Sequence, residues 1–395
     1  MMGNKAFKVV SFLVIPVVAI IATYFAYLST NDLARFMHQP FNAEDIARMS
    51  TGKVIVVTGA NSGLGLSSAK LLAEAGTARA VIMACRNMKK CHEAKEHILS
   101  TIGSKNVQSD RMKLIPAELD LVSLSSIRNF ASNLQNTLRE LETQYDNDLE
   151  TKQYMNTPKI DVLLNNAGIM GVEYALSNDT NIELHMHVNH LGHFALTSLL
   201  RDNLMQGGRV VSVSSLVGAL PLLNLNDVNW VKTPRAQILK HSNMLQAIIS
   251  YSASKRANLV FTHAINTKFS SMGITAVAAH PGYTRSSIMH NGWVRVPRWL
   301  KDFVASNKVG SMSCDDGALS QLRAALDVEN VKPDKYVAPL FGVAGRPVIV
   351  GSSMMSFHHL FWPIRGQEVE EELWKWSEDA IGWTFHNDAS ELVGM

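Results

Sequence analysis

Tyr251 and Lys255 stand four residues apart in Tyr251-Ser252-Ala253-Ser254-Lys255. On a helix that spacing stacks the phenol and the ammonium on one face. A cation held beside the ring favours the phenolate. The spacing therefore predicts a tyrosine that trades its proton nearer neutrality than its ordinary value of about 10. A carbonyl or an alcohol needs such a group when a hydride reaches or leaves its carbon. On most helices the same pattern is only a solvated pair, so its meaning rests on the elements before it.

Those elements include Thr58-Gly59-Ala60-Asn61-Ser62-Gly63-Leu64-Gly65, which directly follows the apolar run Val54–Val57. Leu64–Ala75 then has the period of an amphipathic helix and stops at Gly76. A strand, a glycine turn and a helix N-terminus form a site for a dinucleotide pyrophosphate, because the glycines admit backbone to the phosphates and the unpaired amides face negative charge. The spacing is G-x-x-x-G-x-G, not the commoner G-x-G-x-x-G. A second strand, Ala80–Arg86, ends where a carboxylate would bond the ribose 2′-hydroxyl of NAD(H). Cys85 and Arg86 stand there instead. Arginine suits a 2′-phosphate and predicts NADP(H) over NAD(H); it also suits the surface start of a helix.

Thr58-Gly-x-x-x-Gly-x-Gly65, then Asn165-Asn166-Ala167-Gly168, then Tyr251-x-x-x-Lys255, in that order, resembles the short-chain dehydrogenase/reductase family from about Gly52 to at least Arg285. Val188-Asn189-His190-Leu191-Gly192-His193-Phe194 and His280-Pro281-Gly282 resemble its branch of microsomal retinol dehydrogenases and light-dependent protochlorophyllide reductases. That second group has a cysteine before the Asn-Ala pair, where this chain has Asn165. The resemblance implies an α/β fold, a Rossmann-type doubly wound parallel sheet with helices on both faces. It implies cofactor contacts from Thr58, Gly59, Asn61, Ser62, Gly63, Leu64 and Gly65. Asp120 and Leu121 would lie beside the adenine, and Asn166, Ala167 and Gly168 along the ribose. Pro281, Gly282 and Thr284 would hold the nicotinamide carboxamide. The implied catalytic set is Asn189, Ser215, Tyr251 and Lys255. Ser215 bonds the substrate oxygen, Lys255 lowers the phenol and touches the nicotinamide ribose, and Asn189 holds a water that links the lysine to solvent. A catalytically silent NADP-binding scaffold is the rival reading, and it would be expected to have lost part of that set.

Several of these residues also have plainer roles. Asp120 suits a cap for a helix starting near Ser123, and Ser214 suits backbone support. His187, His190 and His193 point in different helical directions, which favours packing or support over zinc. The three cysteines, Cys85, Cys91 and Cys314, are odd in number without metal-ligand spacing and read as reduced thiols. Charge of +3 with no basic run gives no sign of nucleic-acid binding.

Around this core the 395 residues divide into an anchor at 1–31, a linker at 32–50 and one domain at 51–395. Val9–Asn31 carries no charge, and Val9–Leu28 is long and apolar enough for one membrane-spanning helix. No small-x-small cleavage site follows it, which disfavours a signal peptide. Lys5 and Lys8 before the span lean toward a luminal catalytic domain on an endoplasmic-reticulum-like membrane. Polar residues 140–158 read as a helix extension or surface insertion, and residues 221–250 as an insertion forming a flap over the substrate. The Trp- and Arg-bearing stretches 291–301 and 357–365 are candidates for the bilayer interface or for lid packing, and Glu368–Ser377 for a final amphipathic helix. The partners expected are a small lipophilic substrate, the bilayer and a second copy of the chain.

Overall fold

The computed structural model describes residues 41–102, 112–145, 159–204, 207–220, 222–232, 243–284, 312–333, 335–339, 345–350 and 366–385. Helix α1 (Ala43–Ser50) opens the described fold, although the sequence places those residues in a linker. Asn42 caps it by accepting from the amides of Glu44 and Asp45, and Asp45 reaches back to the Asn42 amide. Strand β1 (Val54–Thr58) leads through the glycine turn into α2 (Gly63–Ala75), which ends with Gly76 in the left-handed conformation. Next come β2 (Ala80–Cys85), α3 (Met88–Ile102), β3 (Lys113–Glu118), α4 (Leu124–Tyr145) and β4 (Val162–Asn165).

The following helix, α5, is composite. A first turn, Leu184–Met186, widens into a π-helical turn over His187–Leu191 and returns to α geometry at Gly192–Leu199. Then follow β5 (Arg209–Val213), α6 (Asn243–Phe269), β6 (Thr275–Ala279), α7 (Cys314–Leu326), β7 (Tyr336–Pro339), β8 (Pro347–Val350) and α8 (Gln367–Ile381).

The strands form one sheet in the order β3-β2-β1-β4-β5-β6-β7-β8. All pair in parallel except β8, which runs antiparallel to β7 and departs from the all-parallel expectation. Alternate residues feed two cores. Val54, Val56, Ile82, Leu163 and Val210 pack with α4, α5, α6 and α8, while Ile55, Val57, Met83, Leu164 and Val211 pack with α1, α2, α3 and α7. Burial on both faces explains why these strands read as continuous Val/Ile/Leu runs. The strand order reverses between β1 and β4, and the crevice beyond their C-terminal ends is where such sheets bind ligands.

Three further expectations change. Cys85 and Cys91 are joined in a disulfide with Cα atoms 6.0 Å apart. An odd count cannot reveal that the end of β2 and the first turn of α3 bring two sulfurs together. Residues 243–250 are the opening turns of α6, so the supposed flap is shorter than expected. Within its described part, Trp230 packs on Ile249, Ala253 and Leu222, and Asn229 bonds the Glu183 amide. The third change is at Asp120, which does not cap α4: it accepts from the Val122 amide, while Ser123 and Asp179 accept from the Ser126 and Leu124 amides.

Among the described residues no helix is long and apolar enough to cross a membrane. The expected span at 9–28, residues 146–158 and both Trp- and Arg-bearing stretches lie outside them.

Candidate active site

The switch point is built around Thr58, the last residue of β1. Its hydroxyl accepts from the amides of Asn166 and Ala167, each at 2.9 Å, and so joins β1 to the turn after β4. Asn166 returns a bond from Nδ2 to the Thr58 carbonyl at 2.8 Å. Gly65 faces this join. A Cβ there would lie 2.4 Å from the Gly59 carbonyl oxygen and 2.6 Å from Asn166 Nδ2, so only glycine fits.

At the start of α2, Ser62 makes no side-chain cap bond, and the first amides of any helix have no internal partner. The 13-residue helix thus turns uncapped amides and its positive end toward the crevice. This donor set fits a dinucleotide pyrophosphate. From the opposite side, Gln321 on α7 donates to Ser68 Oγ at 2.7 Å and Asn166 Oδ1 at 3.1 Å, and Lys70 pairs with Asp315 at 2.7 Å. The sequence offered no signal for Gln321, because it meets the loop only through the sheet.

Arg86 is exposed just past β2, and Asp120 and Leu121 follow β3 at the same end of the sheet. Pro281, Gly282 and Thr284 follow β6, also at that end, and Thr284 pairs with Met312 ahead of α7. The predicted cofactor residues therefore all fall along one edge.

The residues predicted to react lie beside the same edge. Tyr251 is mostly buried, Lys255 is buried, and Lys255 Nζ sits 5.8 Å from the centre of the phenol ring. Ser215, just beyond β5, is close enough to the Tyr251 hydroxyl to influence its proton. Burial pushes the phenol up to about 12, with Ser215 pulling it back in part. This corrects the expectation of a lowered phenol. The ammonium donates instead to the Val213 carbonyl at 2.8 Å, and burial lowers it to about 8. Ser214 Oγ donates to the Lys255 carbonyl at 2.8 Å and pins α6 to the end of β5.

Asn189 occupies the centre of the π-helical turn and is fully buried. Its Oδ1 accepts from the Ile169 amide at 2.8 Å, and its Nδ2 donates to the Ile169 carbonyl at 3.1 Å and Ser254 Oγ at 2.9 Å. The side chain is therefore a clamp between the turn after β4 and α6, with both Nδ2 hydrogens given to protein and a second lone pair remaining on Oδ1. A Cβ on Gly168 would lie 3.1 Å from Asn189 Oδ1 and 3.5 Å from Lys255 Nζ, so the turn after β4 passes directly over both.

Sequence reasoning missed a buried pair beside the tyrosine. Glu183 caps the first turn of α5 and accepts from His185 Nδ1 at 2.7 Å, and the His185 ring meets Tyr251 edge-on with centroids 6.4 Å apart.

Residues 140–226 match the family model described as short chain dehydrogenase. Mouse retinol dehydrogenase 12 is 31% identical over 274 residues, 68% of this chain and 74% of that protein. The chain belongs to the short-chain dehydrogenase family. Human retinol dehydrogenase 11 is 27% identical over 376 residues, 94% of this chain and 98% of that protein. A solved structure of an uncharacterized protein from Mycobacterium paratuberculosis is 30% identical, with a TM-score of 0.59, covering 88% of this chain and 99% of that one. This short-chain dehydrogenase is thus an oxidoreductase relative of the retinol dehydrogenases, with Asn189, Ser215, Tyr251 and Lys255 gathered at one edge of its sheet.

Proposed function

We propose that this protein is a membrane-anchored oxidoreductase that uses NADP(H) to interconvert a lipophilic carbonyl and its alcohol. The observation that carries the chemistry is the gathering of Ser215, Tyr251 and Lys255, with Nζ 5.8 Å from the phenol ring centre, at the sheet edge that ends in the glycine loop. NADP(H), when bound, supplies or accepts the hydride. Ser215 and Tyr251 present hydroxyl donors to the substrate oxygen, where negative charge develops during reduction. Tyr251 gives that oxygen its proton, and Lys255 keeps a positive charge near the phenolate that remains. Oxidation reverses these movements. Asn189 holds α5, the turn at Ile169 and α6 in one geometry throughout.

Arg86 supports the preference for a 2′-phosphate, since an exposed guanidinium past β2 attracts what a carboxylate would repel. The apolar run Val9–Leu28 supports the anchor, and the names of the relatives support a retinoid-like substrate. The deciding experiment gives detergent-solubilised full-length protein NADPH or NADH with a panel of retinoid, steroid and fatty carbonyls. NADPH-dependent turnover of lipophilic members is expected. Equal use of NADH, or a preference for small soluble carbonyls, overturns the corresponding part. Release of the full-length protein from membranes by alkaline carbonate would remove the anchor from the proposal.

A further inference from the structure

His193 is wholly buried, and the chemistry proposed above does not use it. Its ring nevertheless bridges the two halves of the site. Nε2 lies 3.0 Å from Thr58 Oγ1, and Nδ1 lies 3.1 Å from the backbone carbonyl oxygen of Asn189.

Hydrogen-bond accounting decides which nitrogen carries the proton. A hydroxyl has one hydrogen to give and two lone pairs to accept with. Both lone pairs of Thr58 are taken by the amides of Asn166 and Ala167. Its hydrogen has two possible acceptors, His193 Nε2 at 3.0 Å and the Leu164 carbonyl at 3.3 Å. If Nε2 carried the hydrogen, it would meet an oxygen with no lone pair left. The bare Nδ1 would then face the lone pairs of the Asn189 carbonyl. With the hydrogen on Nδ1 both conflicts vanish: Thr58 donates to Nε2, and Nδ1–H donates to Asn189. The charged imidazolium meets the same obstacle at Nε2, and burial pushes this histidine down to about 4.

We propose that His193 is a positioning residue of the active site, held as the neutral Nδ1–H imidazole, which ties the Asn189 backbone to the strand end that carries the dinucleotide loop. The polar path is continuous. It runs from Thr58 through His193 to Asn189, from the Asn189 amide to Ser254, and from Ser254 Oγ to the Tyr251 carbonyl at 2.8 Å. The π-helical turn gives this tie its purpose. Such a turn departs from regular α-helical hydrogen bonding, and an outside donor on its central carbonyl holds it in place.

The activity arm of the test rests on the oxidoreductase reading; two other arms do not. His193→Gln keeps an N–H for Asn189 and an oxygen for Thr58, whereas His193→Leu keeps neither. In full-length protein, His193→Leu should lower kcat by about 30- to 100-fold with the dinucleotide KM within about threefold, the signature of misplaced groups rather than lost binding. His193→Gln should recover most of that loss. In the same proteins without cofactor, the Ile169 amide bonded to Asn189 should exchange with deuterium faster in the leucine variant than in the glutamine variant. The wild type labelled with nitrogen-15 histidine should show His193 protonated at Nδ1 alone. Wild-type kcat in His193→Leu, equal losses in both variants, or an Nε2–H ring would each overturn the proposal. If the wild type turned over no carbonyl, the oxidoreductase reading would fail while amide exchange and ring protonation still decided the role of His193.

Discussion

A phenol that donates a proton must first hold it, and Tyr251 holds its proton firmly. Burial sets the hydroxyl near 12, so the protonated form prevails throughout neutral pH. Reductive kcat/KM is therefore expected to stay level over about pH 6–8, whereas the oxidative direction starts from phenolate and climbs with pH. Lys255, lowered to about 8, gives up its charge above that value, so the oxidative limb bends there. Lys255→Arg keeps the charge and should remove the bend; initial rates in both directions across pH check this. Tyr251→Phe should cut turnover by about 100- to 10,000-fold while dinucleotide affinity, read by fluorescence titration, stays within a few fold. Residue types and order exposed Tyr251, Lys255, Ser215 and Asn189 in the sequence. Their electrostatics were not exposed: spacing alone suggested that Lys255 lowers the phenol, but Nζ is committed to Val213 and burial prevails.

Elements deliver these groups through a few close approaches. Where α2 leaves β1, Gly65 leaves no room for a methyl group beside the Gly59 carbonyl. Gly65→Ala should destabilise the fold by about 1–3 kcal/mol and weaken dinucleotide binding, seen as a lower Tm and a raised KM. Gly366→Ala is the matched control, since no described residue lies within 4 Å of its Cβ position and its backbone is extended. Equal Tm losses in both variants would contradict this account. Strand runs, the stop at Gly76 and the helix after the glycine turn were readable, because local composition decides them. The π-helical turn in α5 was not. A mid-helix asparagine looks like a solvent-facing residue until Ile169 and Ser254 are brought against it from distant parts of the chain. The first turns of α6 were taken for a flap for a similar reason, since an interval measured along the sequence does not say where a helix begins.

For the whole molecule, buried histidines set the acid limit. Burial is the main cause that lowers His190 to about 3 and His193 to about 4, against about 6.5 in an unfolded chain. Between those values the unfolded chain binds protons that the native chain refuses, so stability is full above about pH 6.5 and falls as pH drops toward 4. Urea midpoints should decrease from pH 7 to pH 5, and His193→Gln should shrink that decrease; a pH-independent midpoint would refute it. The same burial places His190 against Phe194, Phe261 and Trp376 and His193 in the polar path from Thr58 to Asn189. The sequence by itself determined the doubly wound sheet, its glycine-loop edge and the residues proposed to react there. Those depend on local periodicity, special backbone positions and residue chemistry, all of which are written in short segments. Only the tertiary structure decided the Cys85–Cys91 pairing, the antiparallel β8, the high phenol and the Thr58–His193–Asn189 tie. Each of these depends on which distant atoms share a small dry volume, and there desolvation and the count of available hydrogen-bond partners outweigh spacing along the chain.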